Sequence, residues 1–229
     1  MKSKVLIAGA SGMVGRALVN ELEKNKNIKL LKPTRDEVNY LNYIEVENYF
    51  KKNKPDYVYI VAAKVGGILA NSQNKIEFFE DNQIIQINLF KCIQKFKVKK
   101  SVFLGSSCIY PKTAEQPIKE NQLLNGRLEE TNEGYALAKI VSYKLCNYIN
   151  EINSQYTYKT MIPCNLYGKY DKFSEKNSHL IPAIINKMHI SKINKINEVE
   201  MWGDGLARRE FMYAGDLADA IFYGLKRFH

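Results

Sequence analysis

The sequence predicts an α/β fold: a doubly wound parallel sheet with a smaller C-terminal lobe. Three observations carry that expectation. Short unbroken apolar runs alternate with helix-length segments, the first run ends in a glycine-rich turn, and the alternation stops after Leu166. Strands apolar at every position are buried on both faces, and strand–helix alternation builds parallel sheets through right-handed crossovers.

The elements follow in order. Lys4–Ala8 (KVLIA) reads as a buried strand and Met13–Lys24 as a helix, with Ile28–Leu31 as the second strand. Tyr57–Ala63 (YVYIVAA), entered through Pro55-Asp56, is the third strand, followed by a long helix over Phe78–Phe96. Ser101–Leu104 is the fourth strand, Tyr135–Ile152 another long helix, and Lys159–Ile162 a further strand. Beyond it, Gly168–Ser178 is polar and loop-like, Val199–Gly205 is strand-like, and Asp216–Arg227 is a closing helix. Residues 1–166 are therefore expected to form the sheet domain, and 167–229 the beginning of the smaller lobe.

Composition narrows the function classes. At 229 residues and 45% hydrophobic, the chain can bury one large core. A net charge of +10 is compatible with nucleic acid, a membrane surface or an anionic small molecule. The lysine run at Lys95, Lys97, Lys99 and Lys100 has only Phe96 as a stacking aromatic, so no nucleic-acid partner is expected. Cys92, Cys108, Cys146 and Cys164 lie far apart with no histidine at metal spacing, so neither a metal site nor a disulfide framework is expected. The apolar stretch after Lys2 and Lys4 is too short for a signal peptide, and nothing approaches a membrane span. The expectation is a cytoplasmic protein without membrane contact.

Gly9-Ala10-Ser11-Gly12-Met13-Val14-Gly15 sits between the first strand and the first helix. Glycines there let backbone amides approach a pyrophosphate at a helix N-terminus, the arrangement of a Rossmann dinucleotide site. At the end of the second strand, Thr34-Arg35-Asp36-Glu37 offers both an acid for the ribose hydroxyls of NAD and a base for the 2′-phosphate of NADP. Arg35 as phosphate clamp is the preferred reading.

With 15 Tyr and 34 Lys plus Arg, pairs of the form Tyr-x-x-x-Lys/Arg arise by chance, and the chain has two: Tyr135/Lys139 and Tyr223/Arg227. Context separates them. Tyr135 follows a strand ending in Leu104-Gly105-Ser106-Ser107-Cys108, which sets small hydroxyls at the cleft. Hydride reduction of a carbonyl leaves an alkoxide that needs a proton. A phenol beside a cation supplies it, and a serine hydroxyl holds the carbonyl oxygen. Tyr135 is accordingly the expected acid, Lys139 its electrostatic partner and Ser106 the carbonyl binder.

The stretches GASGMVG, AAKVGGILAN, LGSSCIYPK, ENQLLNGRLEE, TNEGYALAKI, NLYGKYDKF, NSHLIPAI and WGDG followed by RREF resemble the GDP-L-fucose synthase family, from Lys4 to about Gly224. That family belongs to the extended short-chain dehydrogenase/reductases. The resemblance implies NADPH-dependent reduction of the C4 ketone of a GDP-linked 4-keto-6-deoxy sugar, with 3,5-epimerisation, in activated-sugar biosynthesis, by a homodimer. It implies that Gly9–Gly15, Arg35, Leu104, Gly105, Ser106, Ser107, Lys139, Pro163, Cys164, Asn165, Leu166 and His179 bind NADP(H). It assigns reduction to Ser106, Tyr135 and Lys139, epimerisation to Cys108 and His179, and the nucleotide-sugar to Lys187, Trp202 and Arg209.

Two positions depart from the family. Ser11 stands where a basic or bulky residue is usual, and Lys187 where arginine is common. The family also continues beyond the position of His229, so the substrate lobe is expected to be incomplete. Blander roles compete with these assignments: Cys108 as a small core residue, His179 as a structural histidine, Trp202 as a lobe closure. Cys92 and Cys146 are expected in the core, and Cys164 in packing. Two other functions compete, a pure 4-ketoreductase acting on a related GDP-4-keto-6-deoxy-heptose and a non-catalytic dinucleotide-binding regulator.

Overall fold

The computed structural model of the chain describes residues 2–173, 178–201 and 203–227, without the side chains of 225–227. Its centre is a five-stranded parallel sheet: β1 (Ser3–Ala8), β2 (Ile28–Leu31), β3 (Tyr57–Ile60), β4 (Lys100–Leu104) and β5 (Thr157–Met161), in the order β2-β1-β3-β4-β5. The strands alternate between two buried layers. Leu6, Ala8, Val58, Ile60 and Phe103 pack into one core with Val46, Phe50, Leu89, Phe90, Ile93, Cys146 and Ile149. Val5, Ile7, Tyr59, Val102 and Leu104 pack into the other with Leu18, Leu22, Leu217, Ala218 and Ile221. A strand buried on both faces has no polar side to show, hence the unbroken apolar runs.

The first core lies under α2 (Tyr43–Asn53), α4 (Lys75–Lys95) and α5 (Glu133–Ile152). The second lies under α1 (Met13–Leu22) and α7 (Ala214–Arg227). Thus the closing helix packs on the sheet although it follows the second lobe in sequence. Between them come β6 (Asn165–Tyr167), α6 (Leu180–Ile193) and β7 (Phe211–Tyr213), with β6 and β7 paired in parallel as a two-stranded sheet. The short helix α3 (Ile68–Gln73) follows the loop after β3.

Differences from the sequence expectation have local causes. Helix α2 went unread because its stretch, YIEVENYFKKN, has only two buried residues, Val46 and Phe50. Its boundary is set by Asn42, whose side chain accepts from Ile44 and Glu45 N–H. The Tyr57–Ala63 strand pairs only to Ile60. Over Val199–Gly205 no strand forms among the described residues. Gly203 and Gly205 take positive φ, and Asp204 folds back to accept from the Leu206 amide. The strand that pairs with β6 is instead Phe211–Tyr213. Trp202 lies outside the described residues.

Candidate active site

The chain runs from β1 to β2 on one side of the sheet and then to β3 on the other, so β1 and β3 flank a crevice at their carboxyl ends. Ligands of open α/β sheets bind in such crevices. Gly9 sits at that point with φ +96°, and a Cβ there would lie 2.6 Å from the Ala62 backbone nitrogen. A Cβ on Gly15 would lie 2.1 Å from the Gly9 carbonyl oxygen, so Gly15 lets α1 start hard against the turn. Gly12 caps α1 with no side-chain acceptor and no acid in the first turn. Its amides therefore face the turn without a competing anion, and the cradle fits a pyrophosphate.

The second cluster forms at the ends of β4 and β5. The Gly105 amide donates to the Met161 carbonyl at 2.8 Å, and the Ser107 amide to the Pro163 carbonyl at 3.1 Å, joining Leu104–Ser107 to the Pro163 loop. Ser106 is extended and leads into a 3-10 turn over Ser107–Ile109, which carries Cys108. Opposite it, the first turn of α5 presents Tyr135 and, one turn later, Lys139. Lys139 is 2% exposed. Its ammonium donates to the Leu104 carbonyl at 2.7 Å and lies 4.7 Å and 5.5 Å from the Phe103 and Tyr135 ring centres. Ser106, Cys108, Tyr135 and Lys139 are thus brought together.

Desolvation dominates the electrostatics here. Burial drives the Lys139 ammonium down to about 8, against an opposing pull from Cys108. Burial likewise pushes the Tyr135 phenol well up, and Cys108 adds to the rise. With its phenol raised by burial, Tyr135 holds its proton in this site. Burial also raises the Cys108 thiol, opposed by the Ser106 hydroxyl and by the Lys139 charge. Cys92 and Cys146 are core residues as expected, pushed up to about 12 by burial.

The remaining expected residues lie around this centre. Asn165 turns its amide to the Glu210 carbonyl at 3.1 Å, Leu166 packs on the second core, and the Cys164 thiol contacts the Asn165 carbonyl at 3.9 Å. His179 is the exposed N-cap of α6. Its neighbour Ser178 approaches the loop after β3 so closely that a Cβ on Gly67 would lie 2.9 Å from the Ser178 carbonyl. On α6, Lys187 donates to the Glu200 carbonyl at 2.9 Å, while Arg209 donates to the Arg208 carbonyl at 2.8 Å. Lys187 is half-buried and Arg209 exposed, and both follow β6 in the second lobe.

Other contributors were not read from the sequence. Asn82, fully buried, accepts from the Lys64 amide and donates to the Lys64 and Phe78 carbonyls, pinning the loop after β3. The Lys64 ammonium pairs with Glu77 and Asp81. A cleft of about 330 Å³ opens between the glycine turn and the end of β2, lined by Ala10, Ser11, Arg16, Val19, Asn20, Lys32, Pro33, Thr34 and Tyr170. Arg35 is exposed and lies outside that lining. Asparagine spacing and an arginine five residues past a serine carry no motif, so contact was the only signal.

The model of the NAD dependent epimerase/dehydratase family matches residues 5–229. The chain is 48% identical to GDP-L-colitose synthase of Yersinia pseudotuberculosis over 98% of its length and 73% of that protein's. To GDP-L-fucose synthase of Escherichia coli (strain K12) it is 43% identical, over 100% and 71%. Its fold matches a GDP-6-OMe-4-keto-L-xylo-heptose reductase from C. jejuni with a TM-score of 0.90 at 32% identity, over 99% of this chain and 73% of that one. It also matches a GDP-L-fucose synthetase from Naegleria fowleri bound to NADP, with a TM-score of 0.88 at 28% identity, over 96% and 72%.

The depressed Lys139 sets a stability prediction. In the unfolded chain a lysine keeps its proton up to about 10.4, and here only to about 8. Between those values the unfolded state binds more protons, so this group's contribution to stability rises with pH. The stability difference between wild type and Lys139→Gln should shift toward wild type by roughly 2 kcal/mol from pH 8 to pH 10. Urea unfolding across that range checks it, and a flat difference would refute the depressed value.

Proposed function

We propose a function on the premise that the chain belongs to the NAD dependent epimerase/dehydratase family and, within it, stands with the GDP-L-fucose and GDP-L-colitose synthases. The protein is an NADPH-dependent oxidoreductase that reduces the C4 ketone of a GDP-linked 4-keto-6-deoxy sugar. The observation that carries this reading is the convergence of Ser106, Tyr135 and Lys139 at the ends of β4 and α5, on the same sheet edge as the Gly9–Gly15 cradle.

Each residue's part follows from its surroundings. The cradle residues and the Leu104–Ser107 turn would hold NADPH, which supplies the hydride when bound. The Ser106 hydroxyl donates to the C4 carbonyl oxygen and orients it. Tyr135, kept protonated by burial, delivers its proton to the oxygen as it becomes an alkoxide. The phenolate left behind is stabilised by the Lys139 ammonium. Residues 1–166 supply the cofactor cradle, and the lobe that starts at 167 takes the nucleotide-sugar, with Lys187 and Arg209 assigned to its diphosphate.

Two placements belong to this reading. All four cysteines are free thiols, which favours a reducing cytoplasm. Helices α4 and α5 pack against each other and expose apolar rows on the side turned from the sheet: Ile84 and Ile87 on one, Leu137, Val141 and Tyr148 on the other. A second copy of the chain is the occupant proposed for that face. Light scattering should give a dimer mass for wild type and a monomer mass for Val141→Glu with its circular dichroism unchanged. A monomeric wild type would end the dimer proposal.

For reduction, Tyr135→Phe should lower turnover by about 10²–10⁴-fold with little change in KM for NADPH. Steady-state kinetics with GDP-4-keto-6-deoxy-mannose measure it, and a variant above about half of wild-type turnover removes Tyr135 from the mechanism.

Epimerisation at C3 and C5 is favoured by one observation: Cys108 shares the cluster with Ser106, while the Gly67–Ser178 approach brings His179 to the loop after β3. A C4 ketone acidifies the neighbouring C–H bonds, and inversion needs a base on one face and an acid on the other. In heavy water without NADPH, wild type should wash deuterium into C3 and C5 of the keto sugar, and Cys108→Ser should suppress the exchange. Absence of exchange in wild type, with reduction intact, leaves the pure 4-ketoreductase.

A further inference from the structure

The cleft between the glycine turn and the end of β2 is where an adenosine ribose would lie when a pyrophosphate occupies the cradle. Its lining is informative by its charge. Arg16 and Lys32 are cations, Ser11 and Thr34 are neutral, and the lining holds no carboxylate. A site built for the free ribose hydroxyls of NAD would place an acid here. The nearest candidate acid, Glu37, is folded back to accept from the Thr34 amide at 2.8 Å, and neither Asp36 nor Glu37 joins the lining.

Arg16 is held ready for an anion. Its Nε donates to the Ser11 carbonyl at 3.1 Å, and its guanidinium lies 5.1 Å from the centre of the Tyr170 ring. Anchored at Nε and backed by the ring, the guanidinium keeps its terminal nitrogens as a planar fork, the geometry that matches a phosphate bidentately. Lys32 is committed to Glu23 at 2.7 Å, so its charge at the cleft is partly neutralised. Arg35 does not reach the lining. Arg16 is also one helical turn past the glycine turn, in which Ser11 offers no cation.

Resting on the dinucleotide reading, we infer that Arg16 is the principal determinant of NADPH over NADH in this chain, binding the 2′-phosphate with Tyr170 holding its fork, and that Arg35 is secondary. This reverses the preference that the sequence alone favoured. It also assigns a role to Tyr170, which lies beyond the Rossmann strands in the segment leading to the second lobe and closes the cleft from that side.

The test is direct binding, independent of turnover. The 229-residue chain is titrated calorimetrically with 2′,5′-ADP and with 5′-AMP, which differ only in the 2′-phosphate. Wild type should favour 2′,5′-ADP. Arg16→Ala should weaken 2′,5′-ADP by about 10- to 100-fold and 5′-AMP by less than about 2-fold. Arg16→Lys, which keeps the charge and loses the fork, should fall between, and this conservative variant guards against a folding artefact. Arg35→Ala should move the 2′,5′-ADP to 5′-AMP ratio by less than about 3-fold, a loss well below one charge-assisted hydrogen bond. An unchanged ratio in Arg16→Ala, or a collapse confined to Arg35→Ala, overturns the inference and leaves the dinucleotide reading standing. Wild type that binds neither nucleotide sinks that reading and this inference with it.

Discussion

Everything functional in this molecule depends on how closely the end of β1 passes the end of β3. Their adjacency is a consequence of strand order: the chain leaves β1 for one edge of the sheet and returns to its other side. Gly9 occupies the crossing, and neither its positive φ nor its 2.6 Å clearance tolerates a side chain. Because the turn is that tight, α1 begins directly at it, with Gly15 packed on the Gly9 carbonyl. Because α1 begins there, its first amides open into the crevice. Because α1 then runs back across the sheet, Arg16 emerges one turn in, beside the end of β2.

The second dependency is electrostatic, and magnitudes decide it. A cation within about 6 Å of a phenol favours the phenolate, while burial opposes it, and the two effects are of similar reach. Here burial dominates for both partners: Lys139 is 2% exposed and falls to about 8, while Tyr135 rises. A high phenol value suits a proton donor in reduction, which must arrive with its proton. A low ammonium value leaves Lys139 charged at neutral pH but easily discharged above it. Its bond to the Leu104 carbonyl offsets part of the desolvation cost. The Tyr135 phenol is therefore set to give a proton rather than to take one.

Legibility in the sequence followed burial. The five sheet strands and α1, α4, α5 and α7 were readable because each contributes apolar residues to one of two cores, and that contribution leaves a pattern. Helix α6 was not, since Pro182 is its only buried residue and its apolar positions run around the whole helix. Strands β6 and β7 are three residues each, too short to carry any period. At the site, the glycine turn and the Tyr135/Lys139 pair were visible because fixed spacings there have a mechanical reason. Arg16, Tyr170 and Asn82 were not, because what marks each is a contact in space that follows no fixed spacing. Arg35 drew attention because it sits at the right place in the chain; it is exposed, in the turn from Thr34 to Glu37, and is not among the residues that line the cleft.

The division of labour across the two lobes has a consequence for the proposed chemistry. Ser106, Tyr135 and Lys139 stand at the end of the sheet and on α5, elements fixed by the first core, so the centre proposed for reduction draws no side chain from the second lobe. The pair proposed for epimerisation is different. Cys108 belongs to the same rigid floor, whereas His179 opens α6, an exposed helix whose entry is held against the loop after β3 at Gly67. On the proposed reading, reduction asks the lobe only to hold the nucleotide-sugar over the floor, while inversion also requires it to present an acid to the opposite face. On the proposed reading, small changes at Gly67 or along α6 would alter epimerisation before they touched reduction. One scaffold can then serve both a bifunctional enzyme and a pure ketoreductase, with the difference residing in the lobe and leaving the Tyr135/Lys139 centre unchanged.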